Sequence, residues 1–317
     1  MSQKDQYRIR NWKQYSQSLV NRGSITFWFS DEAIKKWYSA ERTKKPGRPD
    51  VYSEDAIRCA LLIKSVFHVA LRQLQGLIVS LIKMLGVDVV CPHYSVFSRR
   101  ARDLSIPMRR FLKRGEHLNI IFDSTGIKVF GEGEWKVRKH GYSKRRTWKK
   151  VHVGICADSG QVIVSAITSN NIGDETAMLY MMDSLNEVSL GDVLGDGAYD
   201  TTDCREAVHD RNGKQIIPPK RTAHVQRKDP IASLLPRDRA INRINELGAE
   251  GRAKWKKEIG YYRRSLAETF MFRYKTIVGD RLSARKWQTQ VTEVKIKLDA
   301  INRMTELGMP KSYKRGI

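Results

Sequence analysis

Leu118-Asn119-Ile120-Ile121-Phe122-Asp123-Ser124-Thr125-Gly126 is the stretch on which the fold turns. Its apolar run reads as a buried strand, and Asp123 ends that run beside small residues. A second short strand-like segment, Asp192-Val193-Leu194-Gly195, leads to Asp196 and opens the cluster Asp196-Gly197-Ala198-Tyr199-Asp200. Strand-end carboxylates with small neighbours leave room for a hard cation and a phosphate to approach the backbone. Mg²⁺ favours such sites, with few carboxylates and the other positions taken by water or phosphate oxygen. A single Asp at a strand end is ordinarily a turn or a helix cap, and Asp200 is read as the cap of the helix that follows.

Working outward, residues 118–130 read as a strand ending near Phe130. Residues 151–157 and 161–168 read as two more, joined by Asp158-Ser159-Gly160. Residues 174–188 suit a helix, 192–196 a strand, 201–211 a helix and 214–218 a strand. Antiparallel and parallel pairs in one sheet would bring the Asp123 and Asp196 strand ends side by side.

A third carboxylate lies in Tyr261–Lys275, YYRRSLAETFMFRYK. On an α-helix at ~100° per residue, Tyr261, Arg264, Glu268 and Lys275 fall within an arc of about 60°. Leu266, Phe270, Tyr274 and Ile277 form an apolar back, although Phe272 falls within the polar stripe. The plain alternative is a solvated face with i,i+4 Arg–Glu pairing. Asp123, Asp196 and Glu268 together, separated by 73 and 72 residues, carry more than any one of them.

These motifs resemble a DDE-type transposase of a bacterial insertion sequence, in the branch with the Y-x2-R-x3-E-x6-K signature. Tyr261, Arg264, Glu268 and Lys275 match that signature without a gap. Asp196-Gly197-Ala198-Tyr199-Asp200 resembles the box around the second catalytic aspartate, and Asp123-Ser124-Thr125-Gly126 the first. The similarity extends through Glu132–Gly141 and an N-terminal helical region. The resemblance implies an α/β fold, a ribonuclease-H-like mixed-sheet core preceded by an all-helical DNA-binding region. It implies that Asp123, Asp196 and Glu268 are catalytic and hold two Mg²⁺ ions, with Mn²⁺ as a substitute. The implied activity is cleavage at the element's ends and joining of the freed 3′-OH to target DNA. The implied assembly is a homodimer or larger oligomer, in the bacterial cytoplasm and on the nucleoid when bound to DNA.

Charge agrees independently. There are 58 Lys and Arg against 34 Asp and Glu, a formal +24, and the pI is near 10. Such a field favours a polyanionic partner, which the resemblance implies is double-stranded DNA. Lys136, Arg138, Lys139, Lys144, Arg145, Arg146, Lys149 and Lys150 are interleaved with Trp135, Tyr142 and Trp148. Arg252, Lys254, Lys256, Lys257, Arg263 and Arg264 lead into Glu268. Charge runs are usually solvated faces, but these flank two candidate carboxylates, which favours phosphate contact. Arg264 and Lys275 would neutralise phosphates beside the cut. Tyr261 would donate a hydrogen bond to one, or else simply pack.

Four cysteines, Cys59, Cys91, Cys156 and Cys204, form no CxxC pair and read as reduced, partly buried thiols. No apolar run approaches the ~20 residues of a membrane span. The N-terminus lacks a signal-peptide pattern, and no phosphate-binding loop for ATP is present. His140 and His152 lack close ligand spacing for a His/Cys metal site.

Residues 1–115 read as a helical DNA-binding region, with a charged linker at 42–50. The Pro46-Gly47-Arg48-Pro49 core faintly resembles an AT-hook, with a plain linker favoured. Ser53, Glu54 and Asp55 start a helix. Leu71, Leu74, Ile78, Leu81 and Leu85 repeat at helical spacing before Gly86. After Pro92 a shorter helix places Phe97, Ala101 and Leu104 on one side and Ser95, Arg99 and Arg102 on another. This outline is that of a helix-turn-helix, in which Arg99, Arg100 and Arg102 would meet DNA. Any small helical bundle shares it. Residues 116–317 read as the catalytic domain, with an irregular basic excursion at about 218–260 and a C-terminal helix on the stripe Trp287, Val291, Val294, Leu298 and Ile301. That helix packs on the core or serves a dimer. Ala240–Gly248 and Ala300–Gly308 look like helix ends stopped by glycine. A metal-dependent nuclease without strand transfer and a non-catalytic DNA-binding derivative remain as alternatives.

Overall fold

In a computed structural model of the chain, the described residues are 7–39, 50–108, 117–130, 148–225 and 236–314. The linker residues 42–49 and the cluster members Lys136, Arg138, Lys139, Lys144, Arg145 and Arg146, with His140, lie outside them. The chain divides into two compact units, Pro107–Arg285 and Met1–Ile106 with Lys286–Ile317.

The helical unit is built around α4 (Glu54–Phe67), preceded by β1 (Tyr7–Ile9), α1 (Trp12–Arg22), α2 (Ile25–Trp28) and α3 (Asp31–Lys35). The Ser53 side chain accepts from the Ala56 amide at 3.1 Å, the cap expected of that residue. Ala56, Ile57, Ala60, Leu62 and Ile63 are fully buried. After α4 come α5 (Leu71–Leu85) and α6 (Tyr94–Arg100). Gly86 ends α5 at φ +62°, a left-handed position where a side chain would be strained. A helix-turn-helix joins its helices through a turn of 3–4 residues at about 90–120°. The α5–α6 connection, residues 86–93, is longer than that. It is α4 and α5 that meet at 111° across residues 68–70.

The long helix Trp287–Glu306 packs on α4 rather than on the sheet unit, where it was expected. Val294, Leu298 and Ile301 are buried as the stripe requires, while Trp287 is exposed. A buried ion pair, Arg58 Nη2 to Asp299 Oδ2 at 2.8 Å, ties this helix to α4. Its C-terminal strand β7 (Ser312–Lys314) pairs antiparallel with β1. Among the described residues no single helix is long and apolar enough to cross a membrane.

The second unit carries a five-stranded sheet: β2 (Leu118–Lys128), β3 (Trp148–Cys156), β4 (Val162–Ser169), β5 (Leu190–Leu194) and β6 (Lys214–Ile216), in the order 4-3-2-5-6. β2, β3 and β4 form an antiparallel meander, whereas β2, β5 and β6 run parallel. Helix α7 (Asp174–Asp183) precedes β5 and helix α8 (Thr202–His209) precedes β6, the element order expected. Side chains alternate across a strand. Accordingly Leu118, Ile120 and Phe122 bury one face of β2 with Met178, Met181 and Leu185 of the α7 region, at ~1.5–3 kcal/mol per side chain. Ile121 and Asp123 share the other face.

The excursion after β6 is not irregular throughout. It contains α9 (Pro236–Glu246) and α10 (Gly251–Glu258), which pack together and are clasped by Arg243 bonded to Glu258 at 3.0 Å. Helix α11 (Ser265–Ile277) follows, and α12 (Trp287–Glu306) is the long helix described above. α9 and α12 stop just before Gly248 (φ +63°) and Gly308 (φ +139°), as the paired nonapeptides suggested.

Candidate active site

The parallel register of β2 and β5 brings the first two carboxylates together. Ile121 lies opposite Leu194, the last residue of β5. Asp123 and Asp196 each sit two residues further along. Asp123 does not end its strand: β2 runs on to Lys128, paired with β3, and Asp123 faces Val153. What ends at that level is β5, so the β5 side of β2 opens there. The Ser124 amide donates to Asp123 Oδ1 at 3.0 Å. Asp196 caps a 3-10 turn, Gly197–Tyr199, accepting from the Ala198 amide at 2.8 Å.

Glu268 enters from α11, whose Ala267, Phe270, Met271 and Tyr274 are buried. The expected continuous helix from Tyr261 is corrected: Tyr261–Arg264 is a 3-10 turn, and the α-helix begins at Ser265. Gly260 precedes the turn at φ +73°. Leu266 and Phe272 are exposed, so the apolar back is Phe270 and Tyr274 with Ala267 and Met271. Neighbouring Arg263 straps the turn to the sheet, donating to Asp158 Oδ1 at 2.6 Å and lying 3.5 Å from Asp192 Oδ2.

All three carboxylates converge on Arg264. Its guanidinium lies 3.5 Å from Asp123 Oδ1, 3.8 Å from Asp196 Oδ2 and 2.6 Å from Glu268 Oε1. The i,i+4 Arg–Glu pair of the plain alternative therefore forms, with Glu268 toward solvent and its arginine turned inward. The Arg264 side chain is only 18% exposed, and its second amino group turns to Asp123 and Asp196.

Burial raises the Asp123 carboxyl above the usual carboxylate range. Arg264 and the Ser124 amide oppose that rise, and Asp196 and Glu268 add to it. Burial works against the Arg264 charge, yet Tyr261 and the three carboxylates leave its pKa raised. Burial also raises the Tyr261 phenol, opposed by Arg264 and helped by Asp196, Asp123 and Glu268. The phenol therefore keeps its proton and can donate. Lys256 Nζ stands 4.7 Å from the Tyr261 ring centroid; burial, then Arg252, Arg264 and Arg221, lower its pKa. Lys275 is exposed further along α11.

The donor chemistry, three carboxylates without sulfur or imidazole, fits a hard divalent cation. As the side chains stand, no group of three His, Cys, Asp or Glu among the described residues is arranged to hold a metal ion. The carboxylates face the arginine instead.

Other expectations are redistributed. Asp200 does not cap α8; Thr201 does, accepting from the Cys204 amide at 3.3 Å. Asp200 is buried and paired with Arg205 at 2.6 Å and Arg237 at 3.2 Å. Lys150 points inward, 3.1 Å from Asp174 Oδ1 and 3.0 Å from the Ile172 carbonyl. Asp174 also accepts from Ser124 Oγ at 3.0 Å. His152 is fully buried against Thr168 Oγ1 at 2.8 Å and 3.6 Å from Asp174, and burial lowers its pKa. This network behind Asp123 joins residues 16–50 apart, a spacing that no local pattern reveals. In the helical unit, Arg99 and Arg102 are exposed. Arg100 is tied down, donating to the Tyr52 carbonyl at 2.7 Å and lying 3.4 Å from Asp50. All four cysteines are free thiols, and burial pushes Cys59 up to about 12.

Two family models, each described as a transposase DDE domain, match the chain, one over residues 20–132 and the other over residues 114–303. The second spans more than half the chain, and the chain belongs to this family of DDE transposases. It is a DNA transposase enzyme. Among solved structures it is similar to piggyBac transposase in a synaptic complex with hairpin DNA. That match has 11% identity and TM-score 0.40, covering 94% of this chain and 76% of that one. It is also similar to the transposase of a pre-cleavage Mos1 transpososome, at 9% identity and TM-score 0.22, covering 86% of this chain and 83% of that one.

Proposed function

We propose that the chain is the transposase of a bacterial insertion sequence, with a ribonuclease-H-like core, that binds its element's ends, cleaves them and joins the 3′-OH ends to target DNA. The observation that carries the reading is the convergence of Asp123, Asp196 and Glu268, from three separate elements, on one arginine. Family membership supports the same reading.

Asp123, Asp196 and Glu268 would hold the divalent cations, Mg²⁺ or Mn²⁺. When bound, such ions lower the pKa of an attacking water or 3′-OH and stabilise the leaving 3′ oxygen. The chain's own work is positioning and charge stabilisation, since an in-line phosphoryl transfer needs no covalent enzyme intermediate. Asp123 and Asp196 are fixed by strand register and by hydrogen bonds from the Ser124 and Ala198 amides. Glu268 is fixed by the packing of α11. Arg264, Lys275, Lys256 and the Tyr261 hydroxyl form a cationic, donating rim for backbone phosphates. In the helical unit, α5 offers exposed Arg72, Gln73, Gly76, Ser80 and Lys83 beyond its buried Leu74, Ile78 and Leu81. With Arg99 and Arg102 of the α6 region, these residues are the candidates for reading the element's ends, as a homodimer or larger assembly on DNA.

A strand-transfer assay with a labelled 3′-ended duplex carrying the element's terminus tests this reading. Joined products that require Mg²⁺ and Asp123 support a transposase. Cleavage without joining identifies a nuclease, and neither activity identifies a DNA-binding derivative.

A further inference from the structure

We propose that Arg264 is an internal counter-cation that latches the three-carboxylate site closed, so that a divalent ion must displace its guanidinium to bind. The inference rests on reading Asp123, Asp196 and Glu268 as metal ligands and goes beyond a role for Arg264 in phosphate contact.

Three features point to a latch rather than a permanent clamp. The first is charge balance: one guanidinium faces three carboxylates, so the site keeps an anionic surplus that a single arginine does not neutralise. The second is geometry. Only the Glu268 contact, at 2.6 Å, is a hydrogen bond, whereas Asp123 and Asp196 stand off at 3.5 and 3.8 Å. Good hydrogen bonds fall at 2.7–3.2 Å, so the hold on the two strand aspartates is electrostatic and loose. The buried Nε of Arg264 has no hydrogen-bond partner among the described residues. The third is incompatibility: with the guanidinium among them, the three side chains are not arranged as a metal-binding group. A divalent ion and Arg264 want the same oxygens, so their occupancies are linked and each weakens the other. Exposure differs along the latch, from 15% for Asp123 to 63% for Glu268. The loose contacts to Asp123 and Asp196 are the ones a rotamer change opens first, with Arg264 still held by Glu268 at the solvent side.

Mn²⁺ titration calorimetry on the full chain without DNA tests the latch. The proteins compared are native, Arg264→Ala, Arg264→Gln, Arg264→Lys and the double variant Asp123→Asn/Arg264→Ala, each with melting measured in EDTA. The latch predicts Mn²⁺ binding about 10-fold tighter in Arg264→Ala and Arg264→Gln, within the usual range of coupling between sites. Arg264→Lys, which keeps a cation, stays nearer the native affinity, and the double variant loses the gain. In EDTA the Ala and Gln variants melt lower than native because the carboxylates repel. A purely structural arginine lowers melting too, but does not tighten Mn²⁺ binding. Equal or weaker binding in Arg264→Ala and Arg264→Gln, still dependent on Asp123, overturns the latch and leaves the metal reading standing. Binding as tight in the double variant as in Arg264→Ala, or absent from every protein, removes both.

Discussion

Asp196 and Asp200 come from the same five-residue cluster and end in opposite surroundings. Asp200 is one buried carboxylate served by two arginines, Arg205 and Arg237, and by the Lys220 amide at 2.6 Å. Asp196 is one of three carboxylates sharing a single arginine, and its side chain is 42% exposed. Buried Asp238 also acts on Arg205, so charges match at the first, whereas anion exceeds cation at the second. A buried carboxylate matched by cations is a satisfied anchor, here joining α8 to the start of α9. Converging carboxylates short of cations are held at an electrostatic disadvantage, which a functional site relieves by taking up positive charge.

Ways to break that contrast range from complete loss to a small shift. Asp123→Asn, Asp196→Asn and Glu268→Gln keep the side-chain shapes and remove the charges, so each abolishes DNA cleavage while leaving gel-shift affinity for DNA intact. Full activity in any one removes that residue from the site. Asp200→Ala acts on folding instead. Leaving two arginines buried without their partner costs about 3–5 kcal/mol, a fall in Tm of roughly 10 °C. A melting curve unchanged by that substitution would contradict its role as anchor. Lys275→Ala leaves Tm within about 1 °C, since exposed charges are worth little, but reduces the log–log salt slope of DNA affinity by about one. An unaltered slope places Lys275 off the DNA.

The smallest effect concerns pH. A carboxyl whose pKa is raised on folding binds more protons in the folded state, so stability falls as pH rises from its unfolded pKa through its folded one. Asp123 is such a group, through burial and its carboxylate neighbours. Asp123→Asn should therefore raise the Tm of the EDTA-treated protein at neutral pH, with the gain vanishing in acid. A lowered Tm at neutral pH would show that the Arg264 contact outweighs the burial of Asp123.

The sheet was legible in the sequence because its strands are short apolar runs, and the order of strands and helices follows from them. The meeting of Asp123, Asp196 and Glu268 was legible only from the three together, since each alone has an ordinary use as a turn, a cap or a solvated pair. Less was legible where local rules stop short. Tyr261–Arg264 forms a tighter turn than the helical spacing assumed, because Gly260 starts it in a left-handed conformation and the α-helix waits for Ser265. The stripe on α12 announced that the helix packs, but not that α4 is its partner. Consequently, a fragment ending at residue 115 would leave α4 without α12, and DNA-reading variants such as Arg99→Ala belong in the full chain. The Asp200 anchor needed Arg237, 37 residues away, and no periodicity reaches that far.

The central claim is that Asp123, Asp196 and Glu268 form one cation-binding site which Arg264 fills in the absence of metal. Crystals soaked in Mn²⁺ and measured at the manganese absorption edge test it most directly. Anomalous peaks are expected within coordination distance of Asp123, Asp196 and Glu268, with the Arg264 guanidinium swung away from Asp123 and Asp196. Manganese bound elsewhere, or bound among these carboxylates with Arg264 unmoved, would contradict it.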